Sequence, residues 1–144
     1  QNYDTAATAY QKAIASGFTN KVWLAEAHHK LGLVWEGKGQ YEQAKTEMLL
    51  SLAIRPNTPE ILNNLGTVYT KLGDKANALA SFEKAVILRP NYAIARYNLA
   101  EAYEPTNPKR ALSEYETYLA LVEGIPDEAS RIALVQQRVK ALKH

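Results

Sequence analysis

The chain has 144 residues, 47% of them hydrophobic, with 17 Lys and Arg against 15 Asp and Glu for a net charge of +2. So even a balance, with no basic stripe along the chain, excludes a nucleic-acid reader that works by bulk electrostatics, and no apolar run approaches the roughly 20 residues of a membrane span. The lack of cysteine excludes disulfides and thiol chemistry and leaves a reducing or an oxidising compartment equally open.

The chain opens with Tyr3, Ala6, Tyr10 and Ala13 at spacings of 3, 4 and 3, one apolar face of an α-helix. Ser16-Gly17-Phe18-Thr19-Asn20 ends it, and Thr19 or Asn20 supplies the N-cap of a longer second helix that runs to about Gly37. Trp23, in the first turn of that helix, is expected to pack back on the opening helix, with a partner contact as the alternative.

From here the sequence repeats. Leu31-Gly32 recurs as Leu65-Gly66 and Arg55-Pro56-Asn57 as Arg89-Pro90-Asn91, each 34 residues on. A fixed period of this length marks a stacked array of supersecondary units. In 25–58 the residues that stand in this register are Leu31-Gly32, Trp35, Gly39, Ala44, Met48 and Pro56, with Tyr41 opening the second helix. In 59–92, Leu62, Leu65 and Tyr69 share one face of a first helix that Leu72-Gly73-Asp74 ends. Ala78, Phe82, Ala85 and Val86 share a face of a second helix, which stops before Pro90 because the residue preceding a proline avoids the α region. Met48 and Ser51, standing where the later block has Phe82 and Ala85, are expected to be core or close-packing residues.

The block 93–126 keeps register through Leu99 and Tyr103 and then loses a residue: Tyr103 to Ala111 is 8, where Trp35 to Ala44 and Tyr69 to Ala78 are both 9. Pro105 stops the first helix early, and Asn107-Pro108 is an N-cap followed by proline at the first helical position. Ala111, Tyr115 and Leu119 continue an apolar stripe, closed by Gly124 and Pro126. From Asp127 to Lys143, Ile132, Val135, Val139 and Leu142 form one stripe of an amphipathic helix, with Arg131, Gln136, Arg138 and Lys140 off it. One face covers the last hairpin and the other meets water. The alternative is a dimerisation or membrane-surface helix; the segment is mildly basic but lacks the bulky Trp/Phe face of the latter.

Leu65-Gly66, Tyr69, Gly73, Ala78, Phe82, Ala85 and Pro90, with their counterparts one period earlier, resemble the signature of the tetratricopeptide repeat family. The resemblance implies an all-α fold, an α-solenoid of about three helical hairpins with an N-terminal half-repeat and a C-terminal capping helix. The expected division is 1–24 half-repeat and extended turn, 25–58, 59–92 and the variant 93–126 as repeats, and 127–144 as cap, in one continuous domain. A half-repeat leaves an apolar face wet, so the 144 residues are expected to belong to a longer polypeptide. Gln1 in place of Met agrees with that, and equally with a mature chain after signal-peptide removal.

Catalysis is not expected. His28 and His29 are adjacent, so on a helix they point about 100° apart and cannot share a metal as an i, i+4 pair would. His144 is terminal. No Gly-rich phosphate loop or nucleophile elbow occurs, Glu114 and Glu116 are placed on a solvated face, and no cofactor or metal is implied.

Geometry does locate a candidate contact surface. If Leu62, Leu65 and Tyr69 face inward, Glu60, Asn64, Thr67 and Lys71 form a second stripe at spacings of 4, 3 and 4, flanked by Asn63. One period earlier the stripe is Glu26, Lys30, Leu33 and Gly37, flanked by His29; one period later it is Ile94, Asn98, Glu101 and Pro105, flanked by Tyr97. The resemblance implies that these first helices line a concave groove where an extended or helical peptide lies. Asn64 and Asn98 resemble the asparagine ladder with which some tetratricopeptide arrays hold a peptide backbone, broken here at Lys30. An amide offers both donor and acceptor, whatever side chain the peptide carries.

The resemblance also narrows the partner. Family members that dock heat-shock chaperone tails clamp a C-terminal carboxylate with basic and amide residues on these helices. Here only Asn64 fits, with His29, Leu33, Ile94 and Asn98 in the other places, so such a tail is not expected. The expected function is a non-catalytic protein–protein interaction scaffold binding a peptide segment or protein surface. Alternatives are a structural subunit that self-associates through the open half-repeat, and a regulatory or substrate-recruiting segment of a larger enzyme. Pentatricopeptide-like RNA binding is disfavoured by the period and the Leu-Gly, Tyr, Ala, Pro set.

Overall fold

The computed structural model of the chain describes residues 2–17 and 19–144. The expectations that involve Gln1 and Phe18 lie outside the described residues. The described residues form α1 (Tyr3–Ala15), α2 (Lys21–Gly37), α3 (Tyr41–Ile54), α4 (Pro59–Lys71), α5 (Lys75–Leu88), α6 (Ala93–Tyr103), α7 (Pro108–Val122) and, after a single 3-10 turn at Pro126–Glu128, α8 (Ala129–Leu142). The fold is all-α, of the α-solenoid class. Contacts group into two compact units that divide inside α5, one ending at Ser81 and one starting at Phe82.

In the first unit the helix ends follow from local chemistry. Asn20 is the cap: its side-chain oxygen accepts from the Val22 N–H at 2.9 Å and the Trp23 N–H at 3.4 Å. Both α2 and α4 end with glycine in the left-handed region, Gly39 at φ 75° and Gly73 at φ 79°, one period apart. In each case the next N–H reaches back at 2.9 Å, Gln40 to the Trp35 carbonyl and Asp74 to the Tyr69 carbonyl. Asp74 then caps α5 by accepting from the Asn77 N–H at 3.2 Å.

Packing in this unit depends on close approach. A Cβ on Gly32 would stand 2.9 Å from Met48 Cγ and 3.3 Å from the Ala44 carbonyl oxygen, so only hydrogen fits where α2 crosses α3. Met48 is fully buried, and buried Ser51 donates its hydroxyl to the Ala25 carbonyl at 2.6 Å. Both residues are therefore the close-packing substitutes expected of them. Ala44 and Met48 form one core with Ile61, Leu65 and Val68 of α4, each large side chain contributing roughly 1.5–3 kcal/mol by burial. Ala7 of α1 packs on Leu31 and Val34, with Tyr3, Ala6, Tyr10 and Ile14 around them, and an Asp4–Lys38 ion pair joins α1 to the end of α2.

Trp23 departs from expectation. Tyr3, at the start of α1, lies against Gly37, at the end of α2, so the pair runs antiparallel and α1 has ended at Ala15 where the first turn of α2 begins. Trp23 is left 64% exposed beside Val22 at 51%.

The second unit is built differently. α6 ends at Tyr103, ahead of Pro105, and Asn107 caps α7 by accepting from the Arg110 N–H at 3.1 Å, with Pro108 in the first turn. Its core is Ala100, Ala111, Tyr115, Tyr118, Val122 and Val135, with Ile132, Val139 and Leu142 of α8 packed against it. Tyr118 rather than Leu119 fills the centre, since Leu119 is only partly buried. Glu114, expected in water, is buried; its carboxylate pairs with Arg96 of α6 at 2.9 Å and Arg110 at 3.3 Å, which is why burial is tolerated. Glu116 is exposed. Arg131 and Arg138 are also engaged, Arg131 with Glu128 at 2.8 Å and Arg138 with Glu104.

Candidate functional site

In the first unit α2 and α4 carry the candidate stripe side by side. Glu26, Lys30 and Lys71 are exposed; His29, Leu33, Glu60, Asn64 and Thr67 are half-buried. Lys30 and Glu26 form an i, i+4 ion pair at 3.5 Å. The Thr67 hydroxyl turns back to the Asn63 carbonyl at 3.2 Å. Between the helices a pocket of about 360 Å³ is lined by Glu26, His29, Lys30 and Glu60, with Arg55 and Thr58 from the α3–α4 turn. Both charge signs face it. A second pocket of about 410 Å³, on the α1 side, combines Tyr3, Ala6 and Tyr10 with Lys30, Leu33 and Val34.

The two histidines turn to different helices. His28 Nδ1 meets a Glu47 carboxylate oxygen of α3 at 2.6 Å, while His29 Nε2 meets Asn64 Nδ2 of α4 at 2.9 Å. Because an amide nitrogen can only donate, His29 Nε2 must accept, which requires a neutral ring with its proton on Nδ1. Burial agrees by pushing His29 below its ordinary value; Lys30 acts in the same direction, while Glu26 and Glu60 oppose it. Among the described residues no group of three or more His, Cys, Asp or Glu is placed to hold a metal ion.

The flanking positions have a different character from the stripe. His29 bonds across to α4, and Tyr97, its equivalent two periods on, has the Arg131 guanidinium of α8 over its ring at 5.4 Å. Tyr97 also packs edge-on against Tyr115 at 6.2 Å and lies 5.6 Å from Tyr118. Asn63 is buried at 5% exposure. Asn63 is therefore packed between helices, while Tyr97 stays half-buried with its ring held by these contacts, because side chains one step off the stripe turn toward neighbouring helices. In the second unit Ile94 and Asn98 are half-buried and Glu101 is exposed.

Arg55 and Thr58 were not among the expected site residues. For Arg55 the signal was present in the recurring Arg-Pro-Asn, which punctuates the repeat and also brings Arg55 to the lining of the pocket.

Two segments, 25–58 and 59–92, each match the tetratricopeptide repeat model. Residues 25–92 belong to the tetratricopeptide repeat family. Solved structures of similar fold include the type III secretion chaperone SycD of Yersinia enterocolitica in complex with a peptide of the translocator YopD. That match has 17% identity and a TM-score of 0.77 over 82% of this chain and 91% of that one. The first tetratricopeptide domain of Spaghetti (RPAP3), bound to the HSP90 peptide SRMEEVD, is 20% identical with a TM-score of 0.69, covering 81% and 93%. MamA is 23% identical with a TM-score of 0.78, covering 99% and 85%. No helix among the described residues is long and apolar enough to cross a membrane.

Proposed function

We propose that the chain is a non-catalytic protein–protein interaction scaffold that receives a peptide segment of its partner on the α2–α4 stripe. The observation that carries this reading is the half-buried Asn64 amide, held by His29 at 2.9 Å between exposed Lys30 and Lys71 and half-buried Leu33 and Thr67. An oriented amide among apolar and charged neighbours recognises a peptide backbone and tolerates varied side chains. SycD and Spaghetti, similar in fold, hold peptides in their structures, which supports the reading. Because the stripe mixes Leu33 with both charge signs, the segment is of mixed character; the carboxylate clamp for a chaperone tail is matched by Asn64 alone.

The test is to pan a random-peptide library on the protein and compare binding of selected peptides to wild type, Asn64→Ala and Asn98→Ala, with helicity checked by circular dichroism. Loss of binding with helicity intact in Asn64→Ala supports the reading. Equal binding to all three sinks it.

A second reading, a structural subunit that self-associates, has its own support in α1. Ala44, Met48 and Ser51 of α3 are fully buried, whereas Ala6, Tyr10 and Ala13, the equivalent positions of α1, are all partly open. Concentration-dependent oligomers by light scattering, lost in Tyr10→Glu, would favour it.

A further inference from the structure

We infer that His29 sets the polarity of the contact at Asn64: the neutral ring fixes the amide so that its carbonyl oxygen accepts an N–H of a bound peptide, and protonation of the ring reverses the amide. This deepens the peptide-surface reading of the α2–α4 stripe and rests on it.

The geometry leaves little choice. An amide is planar, with oxygen and nitrogen on opposite arms. With Nδ2 committed to His29 Nε2 at 2.9 Å, Oδ1 points away from the ring and has no bonding partner among the described residues. An imidazolium carries a proton on both nitrogens, so Nε2–H would then face the Asn64 NH₂, donor against donor. Rotation of the amide by half a turn relieves the clash, placing Oδ1 on the imidazolium and turning the NH₂ to the peptide. A surface that accepted a backbone N–H would then offer a donor in its place.

The charges facing His29 define when this happens. Glu26 and Lys30 flank it on α2, Glu60 faces it from α4, and Arg55 lies across the shared pocket from the α3–α4 turn. The two carboxylates favour the charged ring; Lys30 and burial disfavour it, and burial is the largest influence. The ring is therefore neutral at pH 7 and charges below its ordinary value of 6.5. His28 makes a separate contact, to Glu47, and is the internal control.

Heteronuclear NMR of the free protein tests the orientation without any ligand. The expected result is an Nδ1–H tautomer for His29 at pH 7, with the Asn64 side-chain amide resonances moving as His29 titrates. In His29→Gln, whose side-chain oxygen can still accept from Asn64 but does not titrate, those resonances should stay fixed. An Nε2–H tautomer, or Asn64 resonances indifferent to the His29 titration, overturns the inference. For affinity, the probe is a peptide selected by panning at pH 7. Its binding to wild type should weaken about fivefold across the His29 titration followed by NMR, the worth of one hydrogen bond, while its binding to His29→Gln stays level over the same range. The same pH dependence in both proteins overturns the affinity effect. Failure to select any peptide sinks the peptide-surface reading, and with it the affinity effect, while the NMR result still decides the orientation.

Discussion

The α2–α3 and α6–α7 hairpins hold a first-type helix to a second-type helix with different materials. α2 and α3 meet at Gly32, where Met48 and Ala44 fill the space that a side chain would take. α6 and α7 meet through a buried carboxylate, Glu114 between Arg96 and Arg110, and through the Tyr115 hydroxyl on Glu104, while the Tyr103 and Tyr118 hydroxyls tie the pair to Glu83 of α5 and Glu128 of the 3-10 turn. A polar element does recur. His28–Glu47 in the first hairpin and Arg96–Glu114 in the third occupy equivalent positions, once the residue lost before Ala111 is allowed for. In the middle repeat those positions are Leu62 and Ser81, both buried. The fold thus accepts either an acid–base pair or an uncharged pair at this crossing, and what changes is sensitivity to pH and to truncation.

The largest expected effect comes from alkali. Burial first, then their carboxylate bonds, push the Tyr103 and Tyr118 phenols up to about 12, and Tyr115 is raised as well. Unfolded tyrosine titrates near 10, so the folded state holds these protons more tightly. Their contribution is complete below about pH 10 and is lost as pH rises toward 12. The second unit should open in that window before the first. Amide exchange with tyrosinate absorbance checks this, and α2–α4 opening earlier than α6–α8 would break the contrast.

Next in size is Glu114→Ala. Removing the carboxylate leaves Arg96, only 18% exposed, without its buried counter-charge, and should cost about 3 kcal/mol in urea unfolding. Glu47→Ala removes the equivalent acid from half-buried His28 and should cost less, since the partner left behind is an imidazole and not a permanently charged guanidinium. Equal losses would mean that the two crossings are alike after all.

Gly32→Ala should follow at about 2 kcal/mol, by overpacking at the 2.9 Å and 3.3 Å approaches. Met48 can move and the Ala44 carbonyl cannot. A double-mutant cycle with Met48→Ala should therefore recover part of the loss; strict additivity would place the obstruction elsewhere.

These differences explain what could be read before the structure. Caps, turns and the apolar stripes were legible because each is set by residues within one helical turn of one another: Asn20, Gly39, Gly73, Asn107 and the faces through Leu65 and Phe82. The stripe on α2 and α4 followed from the 3.6-residue period. Glu114 was not legible, since a lone glutamate gives the same local signal on a wet face as opposite an arginine 18 residues earlier. The pairing becomes visible only when His28–Glu47 is set beside it at the repeat offset. Burial of Asn63 and the ring contacts of half-buried Tyr97 escaped for a related reason: periodicity gives the direction of a side chain and not what stands opposite. The His29–Asn64 bond needed both helices in place.

The smallest expected effect separates direction from cover most simply. Trp23 points along the face of α2 that Ala27 and Leu31 share, and a large indole there would ordinarily contribute a few kcal/mol by burial. At 64% exposure it has little cover to lose. Trp23→Ala should leave stability within about 0.5 kcal/mol of wild type, and Trp23 emission should lie at the wavelength of a hydrated indole. Trp35→Phe removes the other indole and isolates that signal. A blue-shifted Trp23 emission with a loss above about 2 kcal/mol would mean that α1 extends to cover the first turn of α2 in solution. In that case the first unit would close at its N-terminal end as α8 closes the second, and the contrast between them would narrow.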